Sequence, residues 1–263
     1  MTLAIARPGG KAGPFAITIR QAGAKSVRLV PSAPIDSKNL DHAARVATHC
    51  LRLGEDLSEF HALIEKEAGD GSYDGAGGGR LLRSPTAYED IVKSILGTNV
   101  AWSQAVKMIH SLCKLGVMEP ATGIMLFPAP ADILKAGGEW LRTEARVGYR
   151  ADYVLELCHR LESGELDLSP VDRGELAGPE LKKLFLSIKG VGKSTTHYLL
   201  MLHGDYSHLS IDSATRALMR QVTGRELKDE EIEKRYARWG RWKALALWRE
   251  WFTSSGWVDK VAK

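Results

Sequence analysis

The chain opens on alternation and then changes period. Residues 14–30, PFAITIRQAGAKSVRLV, hold two apolar and β-branched runs around Ala22-Gly23-Ala24, a pattern that predicts a small antiparallel sheet. From Asp36 the apolar positions recur at helical spacing. Leu40, Ala43, Ala44, Ala47 and Leu51 fall on one stripe, and DLSEFHALIEKE repeats the pattern, so a helical hairpin should follow the sheet. Residues 68–79, AGDGSYDGAGGG, carry six glycines and little that can pack. They read as a flexible connection, with a boundary near Arg80.

Helical periodicity governs the rest. In SPTAYEDIVKSILG, Ser84 can cap and Pro85 can occupy the first turn, with Tyr88, Ile91, Val92, Ile95 and Leu96 as the apolar face. Further helical patterns at about 101–115, 130–136, 151–163 and 179–187 are divided by turns marked with Gly or Pro. GRWKALALWREWF places Trp242, Leu245, Trp248, Trp251 and Phe252 on one thick stripe suited to a core helix. No βαβ alternation occurs. The expected fold is mainly α with a small N-terminal antiparallel sheet, in three parts: 1–80, sheet plus helical hairpin; 81–220, the main helical body; and 221–263, C-terminal helices packed on that body.

Composition changes this picture little. Of 263 residues, 44% are hydrophobic and 26% charged, which is ordinary for a globular protein. A formal net charge of +4, from 36 Lys and Arg against 32 Asp and Glu, permits a locally basic face without demanding a nucleic-acid partner. Cys50, Cys113 and Cys158 are odd in number and far apart, which suits core thiols better than a disulfide framework or a metal site. The apolar start MTLAIARPGG is too short for a signal peptide and no run approaches a membrane span, so the expectation is a cytoplasmic protein without a membrane partner.

Candidate chemistry begins at KGVGKST, residues 189–195. Gly192-Lys193-Ser194-Thr195 matches the tail of a nucleotide-binding P-loop, but Ser187 stands where that pattern needs its first glycine. The preceding PELKKLFLSIK also has helical spacing, whereas a P-loop follows a strand. The same residues suit a helix-hairpin-helix. One helix ends near Ile188, Gly190 and Gly192 make a turn that a Cβ would obstruct, and a second helix runs from Lys193 through Leu202. The turn's amides, the positive helix end, Lys189 and Lys193 would then bind one DNA phosphate without reading sequence, with Val191 inside the turn. A plain glycine turn between two core helices, with lysines on the surface, fits these residues equally well.

After the second helix, GDYSHLSIDSATRALM places Asp212 directly before a helical run, where it is a natural N-cap. Asp212 also stands eighteen positions after Ser194. With the hairpin and the glycine that follows it, this spacing resembles the helix-hairpin-helix DNA glycosylase superfamily (HhH-GPD), whose members include 8-oxoguanine and 3-methyladenine glycosylases. The likeness spans roughly residues 82–220. It implies base-excision repair, double-stranded DNA with a damaged base as the partner, a monomer associated with the nucleoid when bound, and Asp212 as the catalytic carboxylate. Strand-cleaving members carry a Schiff-base lysine at the position of Ser194. Lys193 lies one residue earlier, about 100° around the helix, so the resemblance implies a monofunctional enzyme.

The resemblance assigns three further roles. Asn99, in ILGTNVAWSQ, would fill the gap left by an extruded base. In RVGYRADYVLEL, Tyr149 would wedge the duplex and Arg150 would face the orphaned partner base. Tyr198 and Trp102 are candidate aromatic walls of the base pocket, although both residue types also serve as core. The four-cysteine loop of cluster-bearing members is missing, so no metal or other cofactor is expected. Ala214 replaces the histidine of 8-oxoguanine enzymes, which leaves the lesion open. A bifunctional enzyme using Lys193, a non-catalytic binder of DNA structure and an NTPase remain as rivals. KRYARWGRWK, residues 234–243, has five basic residues and no acid, and reads as a solvated helix flank whose tryptophans continue the core stripe.

Overall fold

The computed structural model describes residues 1–8, 13–23, 26–68 and 79–254. Most of the glycine-rich connection, Ala24 of the first turn and residues 255–263 lie outside the described residues. Three strands come first: β1 (Thr2–Ile5), β2 (Phe15–Gly23) and β3 (Ser26–Pro31), antiparallel in the order β1-β2-β3. The apolar opening of the chain is therefore an edge strand, with Thr2 opposite Thr18 and Ile5 opposite Phe15. β2 pairs with β3 from Ile17 opposite Pro31 up to a bulge between Gln21 and Gly23.

The helices are α1 (Ser37–Leu51), α2 (Ser58–Ala68), α3 (Ala87–Leu96), α4 (Trp102–Cys113), α5 (Pro130–Thr143), α6 (Arg150–Glu162), α7 (Ser169–Asp172), α8 (Gly178–Leu186), α9 (Lys193–Leu202), α10 (Ser213–Thr223), α11 (Asp229–Tyr236) and α12 (Lys243–Ser254). A 3-10 segment, Ala237–Trp242, leads into α12. The described residues form two compact units, each discontinuous in sequence. The first comprises Met1–Leu53 and Arg83–Asp172; the second comprises Gly54–Leu82 and Arg173–Lys263.

In the first unit, one face of the sheet packs on α1, with Ile5, Phe15, Ile17 and Ile19 meeting Ala43 and Ala47. Only the narrow centre of the expected α1 stripe is covered; Leu40 and Ala44 are exposed. Small alanines let the helix lie close to the sheet, and close approach narrows the buried strip. Asp36 caps α1 by accepting from the Asn39 amide at 2.7 Å. At α3 the cap is Thr86 instead of Ser84: Thr86 Oγ1 accepts from the Glu89 amide at 3.3 Å. The Ser84 amide donates to buried Asp90 at 2.9 Å, one turn into the helix. The pattern at 130–136 covers only the first part of α5, because Gly137 breaks the helical backbone at φ 78° before the helix resumes.

In the second unit, α8 packs on α9, while α10, α11 and the 3-10 segment pack on α12. Phe60 from α2 lies against Trp242 (ring centroids 5.7 Å apart), and Trp242 stacks on Tyr206 at 5.4 Å. The basic run 234–243 is tied down by acids of the same unit. Arg235 pairs with Glu250 at 2.6 Å, Arg238 with Glu67 at 2.9 Å and Lys243 with Glu233 at 2.8 Å, and Arg241 pairs with Glu59.

Candidate active site

The turn at 187–192 joins two helices and follows no strand, so the P-loop geometry is absent from this stretch. Leu181 and Phe185 are buried along α8, Ile188 is buried just after it and Val191 is buried within the turn, which fixes the backbone between them. The Val191 amide donates to the Ile188 carbonyl at 3.0 Å. Gly190 has φ 85°, a left-handed conformation that a Cβ disfavours. Gly192 differs from expectation. It is the N-cap residue of α9 with φ −83°, and a Cβ built there would meet nothing within 4 Å. Neither its conformation nor its surroundings within the chain require glycine.

The first intrahelical bond of α9 is made by Thr196, whose amide donates to the Gly192 carbonyl at 2.8 Å. The amides of Lys193, Ser194 and Thr195 precede it, as in any helix start. No acidic residue occupies the first turn of α9. Lys189 and Lys193 are exposed beside this positive end.

Asp212 is exposed and caps α10, its Oδ1 accepting from the Thr215 amide at 2.8 Å. The segment leading to it is bonded back to α9. Ser194 and Ser210 bring their Oγ atoms within 3.0 Å, and Ser210 Oγ donates to the Ser194 carbonyl at 2.9 Å. A hydroxyl has one proton, so Ser194 is the donor between the two hydroxyls. His197 Nδ1 lies 2.7 Å from the Leu209 carbonyl and must donate to it, which makes this nitrogen the protonated one. Burial lowers the pKa of His197, and its ring stacks on His208 with centroids 4.9 Å apart. Thr215 Oγ1 donates to the Ser210 carbonyl at 2.8 Å.

Tyr198, one turn beyond Ser194, is half-buried and lies 6.4 Å from Trp248 across α9 and α12. Trp248 stacks on Trp251 at 6.0 Å, and Phe252 meets both edge-on. All these groups belong to the second unit.

The remaining candidates belong to the first unit. Asn99 is exposed with φ 52°, and its amide donates to the Tyr149 hydroxyl at 3.4 Å. That bond lowers the pKa of the Tyr149 phenol, whose ring is 51% exposed. Arg150 does not face outward: it is 6% exposed, its guanidinium donates to the Thr98 carbonyl and, at 3.4 Å, to the Val147 carbonyl. It also lies 4.6 Å under the Tyr149 ring, so it braces the Asn99–Tyr149 pair from beneath. Trp102 is 75% exposed at the start of α4, which is unlike a pocket wall.

Sequence reading missed Ser210, His197 and Thr215. The capping spacing from Asp212 to Thr215 could have signalled the last; nothing local announces that Ser210 meets Ser194 sixteen positions away. Among the described residues, no cluster of three or more His, Cys, Asp or Glu could hold a metal ion, and no helix is long and apolar enough to cross a membrane.

No protein-family model matches the sequence, and no curated protein matches it. Solved structures do. A 3-methyladenine DNA glycosylase from Archaeoglobus fulgidus matches with TM-score 0.75 and 20% identity over 97% of this chain and 86% of that one. MBOgg1 in complex with a low-affinity DNA ligand matches with TM-score 0.72 and 20% identity, over 99% and 89%. An 8-oxoguanine glycosylase/lyase from Clostridium acetobutylicum, in complex with double-stranded DNA containing cytosine opposite 8-oxoguanine, matches with TM-score 0.70 and 15% identity, over 98% and 88%. At 15% to 20% identity the likeness is one of architecture, and the chain has the fold of these DNA glycosylases.

Proposed function

We propose that this chain is a DNA glycosylase of base-excision repair that hydrolyses the N-glycosidic bond of a damaged base turned out of a duplex. The observation that carries the reading lies within one unit: an uncapped helix start behind Gly190 and Gly192, and an exposed carboxylate fixed at the next helix start, Asp212. The amides of residues 193–195, with Lys189 and Lys193, bind a backbone phosphate and so hold the strand without reading its sequence. Asn99 and Tyr149 enter the gap left by the rotated nucleotide, and Arg150 supports them from below. Tyr198, beside Trp248, offers an aromatic face to the extruded base.

As the bond from sugar to base lengthens, positive charge develops on the sugar. The Asp212 carboxylate stabilises that charge and orients or deprotonates the attacking water, leaving free base and an intact abasic strand. Ser194 has no amine with which to form a Schiff base, which favours a monofunctional enzyme. On this reading the enzyme works as a monomer in the cytoplasm and is at the nucleoid while bound to DNA.

Excision assays on duplexes carrying oxidised, alkylated and deaminated bases test the reading. The unaltered chain should release at least one of them, and Asp212→Asn should lower that rate by roughly 100-fold or more, the scale of losing a transition-state charge partner. Undiminished excision by Asp212→Asn overturns the assignment of the carboxylate. Borohydride trapping of a covalent adduct that disappears in Lys193→Ala would instead identify a bifunctional enzyme.

A further inference from the structure

We propose that Ser194 and Ser210 are positioning residues for excision, forming a hydroxyl clamp that sets the Asp212 carboxylate at a fixed offset from the first turn of α9. The inference rests on the glycosylase reading above. Ser194 Oγ donates to Ser210 Oγ at 3.0 Å, and Ser210 Oγ donates in turn to the Ser194 carbonyl at 2.9 Å, closing a two-bond ring between helix and segment. Thr215 carries the connection onward: its hydroxyl donates to the Ser210 carbonyl at 2.8 Å while its amide donates to Asp212 Oδ1 at 2.8 Å. A continuous chain of bonds therefore runs from the start of α9 to the carboxylate.

Holding the segment on the unit does not require this chain. Tyr206 and Leu209 are buried upstream, and His197 Nδ1 already binds the Leu209 carbonyl at 2.7 Å. Ser210 lies beyond those anchors, two residues before the carboxylate, so its bond to Ser194 restrains the short stretch that ends in Asp212. The start of α9 is where the phosphate binds, so the clamp makes the distance from phosphate to carboxylate a property of the folded chain and not of the bound DNA. Displacing a reacting group by about 1 Å can cost a factor on the order of 100 in rate, so such a fixture acts on the chemical step and leaves binding alone.

The test uses the full chain and single-turnover excision on a lesion duplex that the unaltered chain processes, alongside affinity for a duplex with an abasic-site analogue and the thermal midpoint. Ser194→Ala and Ser210→Ala should each lower the excision rate by roughly 10-fold or more. Analogue affinity should fall far less than the rate, because the backbone amides survive both substitutions, and the thermal midpoint should fall only by the small amount that a half-buried hydrogen bond contributes. The double variant should be no slower than Ser210→Ala, because that single change already removes both bonds of the ring. Ser194→Thr, which keeps the hydroxyl, should recover most of the rate. Unchanged excision in both alanine variants overturns the clamp and leaves the glycosylase reading standing. A rate loss matched by an equal loss of affinity or of thermal midpoint assigns the serines to folding and also overturns it. If the unaltered chain excises no base from the whole panel, the glycosylase reading fails and the clamp fails with it.

Discussion

Gly190 and Gly192 stand two positions apart in one turn and owe their identity to different causes. Gly190 holds φ 85°, so Gly190→Ala should destabilise the chain by about 1 kcal/mol or somewhat more, the cost of a left-handed Cβ, read as a lower thermal midpoint. Gly192 has ordinary φ and open space around the missing Cβ, so Gly192→Ala should leave the midpoint nearly unchanged and weaken DNA binding, because the methyl would stand where, under the proposed function, a phosphate approaches the amides. Loss of stability at 192 together with intact binding would refute this division. The sequence pattern identified both glycines but assigned them one reason, since spacing carries no information about φ. Arg150 taught a similar lesson. Its neighbourhood suggested an outward-facing arginine, and only the folded structure reveals Thr98 and Val147 carbonyls placed to receive it.

At the scale of elements, periodicity was informative where a helix has one clear buried face and misleading where the partner is unusual. α9 runs from Lys193 to Leu202 as its apolar spacing implies, and the hairpin and the cap at Asp212 were likewise legible. The exposed edge of α1 was not, because a helix on a small sheet buries a narrower strip than its alanines suggest. The basic run at 234–243 shows why charge counts mislead. Its arginines meet Glu59 and Glu67, acids far away in sequence and close in space, and Glu250, one helix further along the chain. Arg238→Ala combined with Arg241→Ala should therefore leave both DNA affinity and its salt dependence unchanged, whereas a flatter salt slope would place this run on the DNA face. Exposed pairs of this kind contribute little stability individually. The same element order hid the aromatic contact of Tyr198 with Trp248: the stripe on α12 was legible, its neighbour on α9 was not.

Over the whole molecule, acid sensitivity should follow its histidines. His49 Nδ1 accepts from the Arg83 guanidinium at 3.0 Å, since arginine can only donate. Burial first, and then the positive charge of Arg83, lower its pKa from 6.5 to about 4. As pH falls, the unfolded chain takes up this proton before the folded one does. The stability from His49 is therefore complete above about pH 6.5, declines between about 6.5 and 4, and is constant below. His42, His197 and His208 are lowered in the same direction, chiefly by burial. Thermal midpoints should fall across that interval, and His49→Gln, which can still accept from Arg83, should make the fall shallower. An equal slope in the variant would remove His49 from the account.

The cysteines carry a consequence for life among reactive chemicals. Cys50 and Cys158 are buried, with burial as the first cause pushing their pKa values up to about 12 and about 11, and half-buried Cys113 is raised for the same reason. Electrophiles and oxidants attack the thiolate, a form these side chains scarcely adopt at neutral pH. A protein whose thiols stay protonated does not depend on a reducing partner to keep them intact. Cys50 and Cys158 are thus both protonated and covered, so a burst of oxidant should be recorded first at exposed thioethers such as that of Met118 and only later at these two thiols.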